Sequence, residues 1–200
     1  MSLDNISTIV LAAGESHRMG QPKLLLPWGK TTVLGQVVST IAAAGIQTII
    51  VVTGGARGLI EGQVVELSKS VSIRMVYNKD YIQGGMLSSI KTGLMALDTS
   101  IDAALIALGD QPQILEGTVR LICTAFVRTK SPLVVPSYQN RRGHPWLVAA
   151  TLWPKILSLP LSTTAREFLD TFVGRVEYVS ADKSILLDLD TPDEYSQMRP

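Results

Sequence analysis

The sequence predicts an α/β fold: a doubly wound, mostly parallel sheet with a small antiparallel addition toward the C-terminus. Two observations predict it. Short, nearly continuous apolar runs recur at Ile6–Ala12, Thr48–Val52, Ile73–Val76, Ala103–Leu108 and Leu133–Val135. They lack in/out alternation, which suits strands covered on both faces. Helical patterns separate them, and the strand–helix alternation continues to about residue 136.

Each element has its own signal. Leu34, Val37, Val38 and Ile41 make a helical stripe, with Gly45 placed to end it. Gly54-Gly55-Ala56-Arg57-Gly58 lacks the dinucleotide fingerprint spacing and reads as a strand-to-helix turn. Met86, Ile90 and Leu94 make a second stripe, and Val119, Ile122, Cys123 and Phe126 a third. In the last third, Trp146–Ala150 reads as a strand and Leu152–Leu157 as a short helix. Thr164 and Glu167 have capping-box spacing for a helix through Phe172. Arg175–Val179 and Ile185–Leu189 read as late strands, antiparallel at the sheet edge. Thr191-Pro192 opens a final helix with proline at its first position. No repeat or linker divides the chain, so residues 1–200 are read as one domain.

Composition excludes several function classes. The chain has 46% hydrophobic and 18% charged residues and a net charge of +1, the balance of a globular protein. The absence of any run of Lys or Arg argues against a nucleic-acid partner. No signal peptide or membrane-length apolar stretch is seen, so the expected location is cytoplasmic, with no membrane partner. One cysteine and two histidines leave no internal disulfide and no structural zinc site. On its apolar stripe, Cys123 reads as a core thiol rather than a nucleophile.

Polar residues concentrate in loops that follow apolar strands. The first runs Leu11-Ala12-Ala13-Gly14-Glu15-Ser16-His17-Arg18-Met19-Gly20-Gln21-Pro22-Lys23. Its small residues can wrap backbone N–H groups around a polyphosphate, while Arg18 and Lys23 add positive charge. The others are Asn78–Ser89, with Gly84 and Gly85, and Gly109-Asp110-Gln111-Pro112. In an open parallel sheet all three converge beyond the carboxyl ends of the strands, where ligands bind. Asp110 suits a Mg²⁺ site, and equally a helix N-cap. Asp188 and Asp190, two apart, can share a face and join Asp110 around a metal; Asp190 can instead cap the final helix. Ser88 and Ser89 suit a helix cap or an anion contact. Arg141-Arg142-Gly143-His144-Pro145 reads as a solvated hairpin or as the receiver of an anionic second substrate, with His144 a substrate contact before a general base. Gly29-Lys30-Thr31 fails as a P-loop, because Leu24 stands where its first glycine belongs.

Taken together, Leu11-Ala12-Ala13-Gly14-x-Ser16-x-Arg18-Met19-Gly20-x-x-Lys23, Gly85-Met86-x-Ser88-Ser89, Gly109-Asp110-Gln111-Pro112, Arg142-Gly143-His144-Pro145 and Asp188-x-Asp190-Thr191-Pro192 resemble the motifs of the Rossmann-like nucleotidyltransferases, in the same order and across nearly the whole chain. The nearest group is the molybdenum cofactor cytidylyltransferase type. The resemblance implies a nucleotide-diphospho-sugar transferase-like fold and a Mg²⁺-dependent transfer of CMP from CTP to molybdopterin. It assigns nucleotide contact to Leu11, Ala12, Ala13, Gly14, Arg18, Lys23, Gly85, Ser88 and Gly109. Catalytic charge falls to Arg18, Lys23 and Asp110, and metal binding to Asp110 with Asp190, then Asp188. Arg142, Gly143 and His144 face the second substrate. Ala13, where guanylyltransferase relatives tend to have a second glycine, resembles the cytidylyltransferase branch. Leu161-Ser162-Thr163-Thr164-Ala165-Arg166 keeps only the Ala-Arg of the relatives' Gly-Asp-x-Gly-Ala-Arg stretch, a departure that bears on the second substrate. The rival readings are a guanylyl- or sugar/alditol-phosphate nucleotidyltransferase, and a carrier that delivers molybdenum cofactor to a molybdenum hydroxylase client.

Overall fold

A computed structural model describes residues 3–16, 19–172 and 174–200. Among these, eight strands form the main sheet. Strand β1 (Ile6–Ala12) is followed by the small hairpin β2 (Pro27–Trp28) and β3 (Thr31–Thr32), helix α1 (Val33–Ala43), β4 (Thr48–Thr53), α2 (Arg57–Leu67), β5 (Ser72–Tyr77) and α3 (Gly85–Met95). Then come β6 (Ala103–Leu108), α4 (Glu116–Thr129), β7 (Leu133–Tyr138), β8 (Arg141–Arg142), β9 (Trp146–Ala149), α5 (Trp153–Ser158), α6 (Ala165–Asp170), β10 (Val176–Ser180) and α7 (Pro192–Met198).

The spatial order is β10-β7-β9-β6-β1-β4-β5, with β8 paired to β7. From β1 the chain steps outward to β4 and β5, then crosses back to lay β6 on the other side of β1. The strand order therefore reverses between β1 and β6, which are parallel and in register from Ile6↔Ala103 to Leu11↔Leu108. A crevice opens beyond their carboxyl ends at such a reversal.

Alternate side chains of each strand feed two cores. Val10, Ile49, Val51, Leu105 and Leu147 pack with α1, α2 and α4 on one face. Ile9, Ile50, Ile106, Trp146 and Val148 pack with α3, α5 and α6 on the other. Both faces are covered, which is why the strand sequences look continuously apolar. Cys123 is fully buried in the first core, and burial pushes its thiol up to about 12, as befits a packing group.

Three expectations change. In the second stripe the inward residues are Leu87, Ile90 and Leu94, while Met86 is 39% exposed. β10 occupies the sheet edge but is parallel to β7, because the chain reaches it through α5 and α6. The antiparallel member is β9, inside the sheet between β6 and β7. It arises because the chain reverses at Gln139 and Asn140, both at positive φ. Ile185–Leu189 is not a strand: the Asp182 carboxylate accepts from Ser184 N–H to start a 3-10 turn over Lys183–Leu186. Among the described residues, no helix is long and apolar enough to cross a membrane.

Candidate active site

The loop after β1 is folded onto itself. Ser16, at φ 55°, accepts at its hydroxyl from Lys23 N–H (3.3 Å) and at its carbonyl from Met19 N–H (2.9 Å). A 3-10 turn over Lys23–Leu25 then carries the lysine inward. Arg18 lies outside the described residues.

Lys23 Nζ lies 2.5 Å from Asp110 Oδ2 and 2.9 Å from Asp190 Oδ1. Its side chain is 12% exposed. Burial works against its charge, but Asp110 and then Asp190 outweigh that effect and hold its pKa above the ordinary lysine value. Neither acid is a helix cap. The N-cap of α4 is Leu115, and α7 is capped by Thr191, whose side chain forms a capping box with Glu194. Both carboxylates are thus turned to the crevice.

The segment carrying Asp188 and Asp190 runs beside the loop after β6. Leu189 N–H donates to the Asp110 carbonyl (3.2 Å), and the Gln113 side chain donates to the Leu187 carbonyl. Asp188 is the more enclosed acid. Gln111, only 2% exposed, donates to its Oδ1 at 2.6 Å. Burial raises the Asp188 pKa and the charges of Asp110 and Asp190 add to that, against the opposing pull of Gln111 and Lys23.

Two cavities meet at Asp110. One of about 250 Å³ is lined by Leu11, Ala12, Gly14, Lys23 and Asp190. The other, about 360 Å³, is lined by Ala13, Gly14, Tyr81, Gly85, Ser89 and Asp188. Gly109 keeps the rim narrow: its N–H donates to the Leu11 carbonyl, and an added Cβ would stand 3.0 Å from that oxygen. Gly85, at φ +54°, opens α3 with nothing in front of it. Ser88 is turned inward and 3% exposed, bound to Asn78 (2.7 Å) and to the Gly85 carbonyl (2.9 Å). Ser89 is the serine that lines the cavity. Tyr81 matters here and was not singled out from sequence; Asn78 and Gln111 were named only as members of their loops, with no role given to them.

Arg142, Gly143 and His144 line a separate cavity of about 540 Å³ with Asn140, Arg141, Trp146, Arg166 and Asp170. It opens at the same rim, because β9 begins opposite the end of β6 (Ile106↔Trp146). Arg142 is paired with Asp170 at 2.5 Å and sits over the Tyr178 ring. Burial lowers the His144 pKa to about 4, so the imidazole is neutral near pH 7. His144 Nε2 and Trp146 Nε1 are both buried with no hydrogen-bond partner among the described residues.

Among the described residues, no three His, Cys, Asp or Glu side chains form a ready-made metal cage. Yet Asp110 and Asp190 both reach a single cationic atom, and two carboxylates plus substrate phosphates are what Mg²⁺ takes. The donor set fits a divalent ion that arrives with a polyphosphate.

Comparison with known proteins agrees with this architecture. Residues 8–178 match the model of the MobA-like NTP transferase domain. The chain is 30% identical to the molybdenum cofactor cytidylyltransferase of Escherichia coli K12 over 95% of this chain and 93% of that one. It is also 30% identical to the nicotine blue oxidoreductase of Paenarthrobacter nicotinovorans over 94% of each. Among solved structures, Rv0371c of Mycobacterium tuberculosis superposes with a TM-score of 0.82 at 27% identity, covering 96% of this chain and 97% of that one. The same protein has been solved in complex with manganese, with a TM-score of 0.75 at 26% identity over 97% of each chain. With its crevice at the β1/β6 reversal and a family match across most of its length, this chain is a nucleotidyltransferase that belongs to the MobA-like NTP transferase family.

Proposed function

We propose that the enzyme transfers CMP from CTP to the terminal phosphate of molybdopterin, or of its molybdenum-loaded form, releasing pyrophosphate and forming molybdopterin cytosine dinucleotide. The observation that carries this reading is the Lys23 bridge, where two carboxylates from distant parts of the chain converge on one positive charge at the switch point.

A phosphate monoester is already anionic near neutral pH, so its attack on the α-phosphorus requires no general base. The enzyme must hold two anions in line and offset their repulsion. Asp110 and Asp190 would hold Mg²⁺, with Asp188 beside them on Gln111. The ion supplies positive charge to the triphosphate oxygens. Lys23 adds its ammonium on the pyrophosphate side, a role the resemblance also gives Arg18. Leu11, Ala12, Ala13, Gly14, Gly85 and Gly109 offer backbone and open space to the nucleotide, with Ser88 bracing that wall from behind.

The acceptor enters the second cavity, lined by Arg142, Gly143 and His144. A space of about 540 Å³ suits a ligand much larger than inorganic phosphate, and its arginines suit an anionic one. Cytidine over guanosine rests on Ala13 and on the similarity to the E. coli cytidylyltransferase.

The test is pyrophosphate release with Mg²⁺ and molybdopterin, offering CTP, GTP, ATP and UTP separately. Release with CTP alone is expected. Release with GTP alone overturns the base assignment. Nucleotide binding without release overturns the acceptor, pointing to a sugar phosphate. No nucleotide binding at all overturns the transferase reading and favours a cofactor carrier.

A further inference from the structure

Three loops meet at the nucleotide side of the rim, after β1, β4 and β5. One side chain touches all three. The Tyr81 ring, in the loop after β5, lies against the turn after β4: a Cβ added at Gly54 would stand 2.8 Å from two ring carbons and 2.5 Å from the Ala13 carbonyl. At Gly55 an added Cβ would stand 2.9 Å from the Tyr81 hydroxyl and 3.3 Å from Glu15 Oε1. That hydroxyl sits beside the Glu15 carboxylate, in the loop after β1: both groups crowd the same point over Gly55. Tyr77 backs the arrangement, with its ring 6.4 Å from Tyr81 and the Arg57 guanidinium 5.5 Å above it.

Tyr81 is also a shared wall. It lines the cavity that holds Gly14, Gly85 and Asp110, and another of about 460 Å³ that holds Glu15, Gln21 and Gly55. A tyrosine packed on glycines at a surface is commonplace. Here, though, the segments it joins line the cleft, and Ser16, next to Glu15, accepts from Lys23 N–H.

We propose that Tyr81 is a positioning residue for the nucleotide: packed on Gly54-Gly55 and donating its hydroxyl to the neighbouring Glu15, it fixes where the chain leaves β1, from Gly14 to Ser16, at the edge of the cleft. This rests on the nucleotidyltransferase reading above. It assigns Tyr81 an effect on the nucleotide and none on the acceptor, whose cavity lies on the far side of β6.

The test measures CTP binding by calorimetry without acceptor, together with KM for each substrate, kcat and melting temperature. Tyr81→Phe and Glu15→Ala should each weaken CTP binding and raise its KM roughly three- to tenfold, the scale of one charge-assisted hydrogen bond at a solvated site. Acceptor KM and melting temperature should stay at wild-type values. The double variant should be no weaker than either single one, because both remove the same contact. Glu15→Gln, which still accepts from the hydroxyl, should restore binding. Gly55→Ala, which crowds only the ends of Tyr81 and Glu15, should reproduce the loss. Unchanged CTP binding in Tyr81→Phe, additive losses in the double variant, or equal rises in KM for both substrates would each overturn the proposal. Failure of the wild-type chain to bind any nucleotide would remove the cleft reading itself, a result distinct from the three before it.

Discussion

The two sides of the rim solve opposite problems. On the nucleotide side the charged groups already have one another: Lys23 lies between Asp110 and Asp190, and Gln111 serves Asp188. On the side of Arg142 and His144 one ion pair, Arg142–Asp170, stands beside two buried atoms, His144 Nε2 and Trp146 Nε1, with no partner among the described residues; Gln111 Oε1 is such an atom on the nucleotide side. The first arrangement is electrostatically balanced and can exchange one cation for another. The second keeps a neutral imidazole and an indole N–H out of water, at a desolvation cost offset by the packing around them. Under the proposed function, chemistry falls to the first side and acceptor recognition to the second.

The comparison breaks most sharply at Asp110, which lines both nucleotide-side cavities. Asp110→Ala should cut the rate of pyrophosphate release roughly a thousandfold while acceptor binding and the melting temperature persist. A variant turning over at the wild-type rate would end the metal assignment. Lys23→Ala comes next. It removes positive charge from the triphosphate and leaves Asp110 and Asp190 facing each other, so CTP affinity should fall roughly ten- to a hundredfold, more at low salt. Unchanged affinity in a titration would deny Lys23 its role.

Gly143→Ala sharpens the other side. Its Cβ would stand 2.2 Å from the Ile185 carbonyl and 2.7 Å from the Ile185 side chain, so the Arg142–His144 loop must shift. Stability should fall by about 1–3 kcal/mol, and acceptor KM should rise with CTP KM unchanged. A melting curve and the two KM values check this. The smallest effect is in pH. His144 titrates near 4 when folded and 6.5 when free, so the folded state binds fewer protons between those values. The stability His144 contributes is full above pH 6.5, is lost as pH falls toward 4, and changes no further below. His144→Gln should flatten that part of the stability profile, as thermal melts across the range would show.

Much of the fold was legible because both faces of the sheet are covered: Ala103–Leu108 is apolar end to end, Ile6–Ala12 is so apart from Ser7 and Thr8, and the two runs mark β6 and β1 to the residue. Other features were ambiguous for definable reasons. Met86 and Leu87 are each compatible with a stripe through Ile90 and Leu94; only the position of the sheet decides that Leu87 is inside. Ile185–Leu189 has the residues of a strand, but its start is wound into the 3-10 turn begun at Asp182 and its end is bonded to the loop after β6. In the site, motif resemblance singled out Lys23, Asp110 and Asp190, but no periodicity links residues so far apart. Tyr81 escaped notice because its signal is written elsewhere, in the missing side chains of Gly54 and Gly55. Ser88 looked outward by motif, and only its bond to the buried Asn78 reveals that it faces in.

The reversed strand β9 has a consequence for how such an enzyme can vary. In a wholly parallel sheet every loop at the working rim leaves the end of a strand. Because β9 runs backwards, the segment that enters it, Arg141–Pro145, is delivered to that same rim beside Gly109 and Asp110. A hairpin turn feeds this segment, and its length is set independently of the helices that space β1, β4 and β6. Lengthening or rewriting it would reshape what the enzyme accepts while the phosphate chemistry next door keeps its geometry, so one backward strand lets the two substrates be tuned separately.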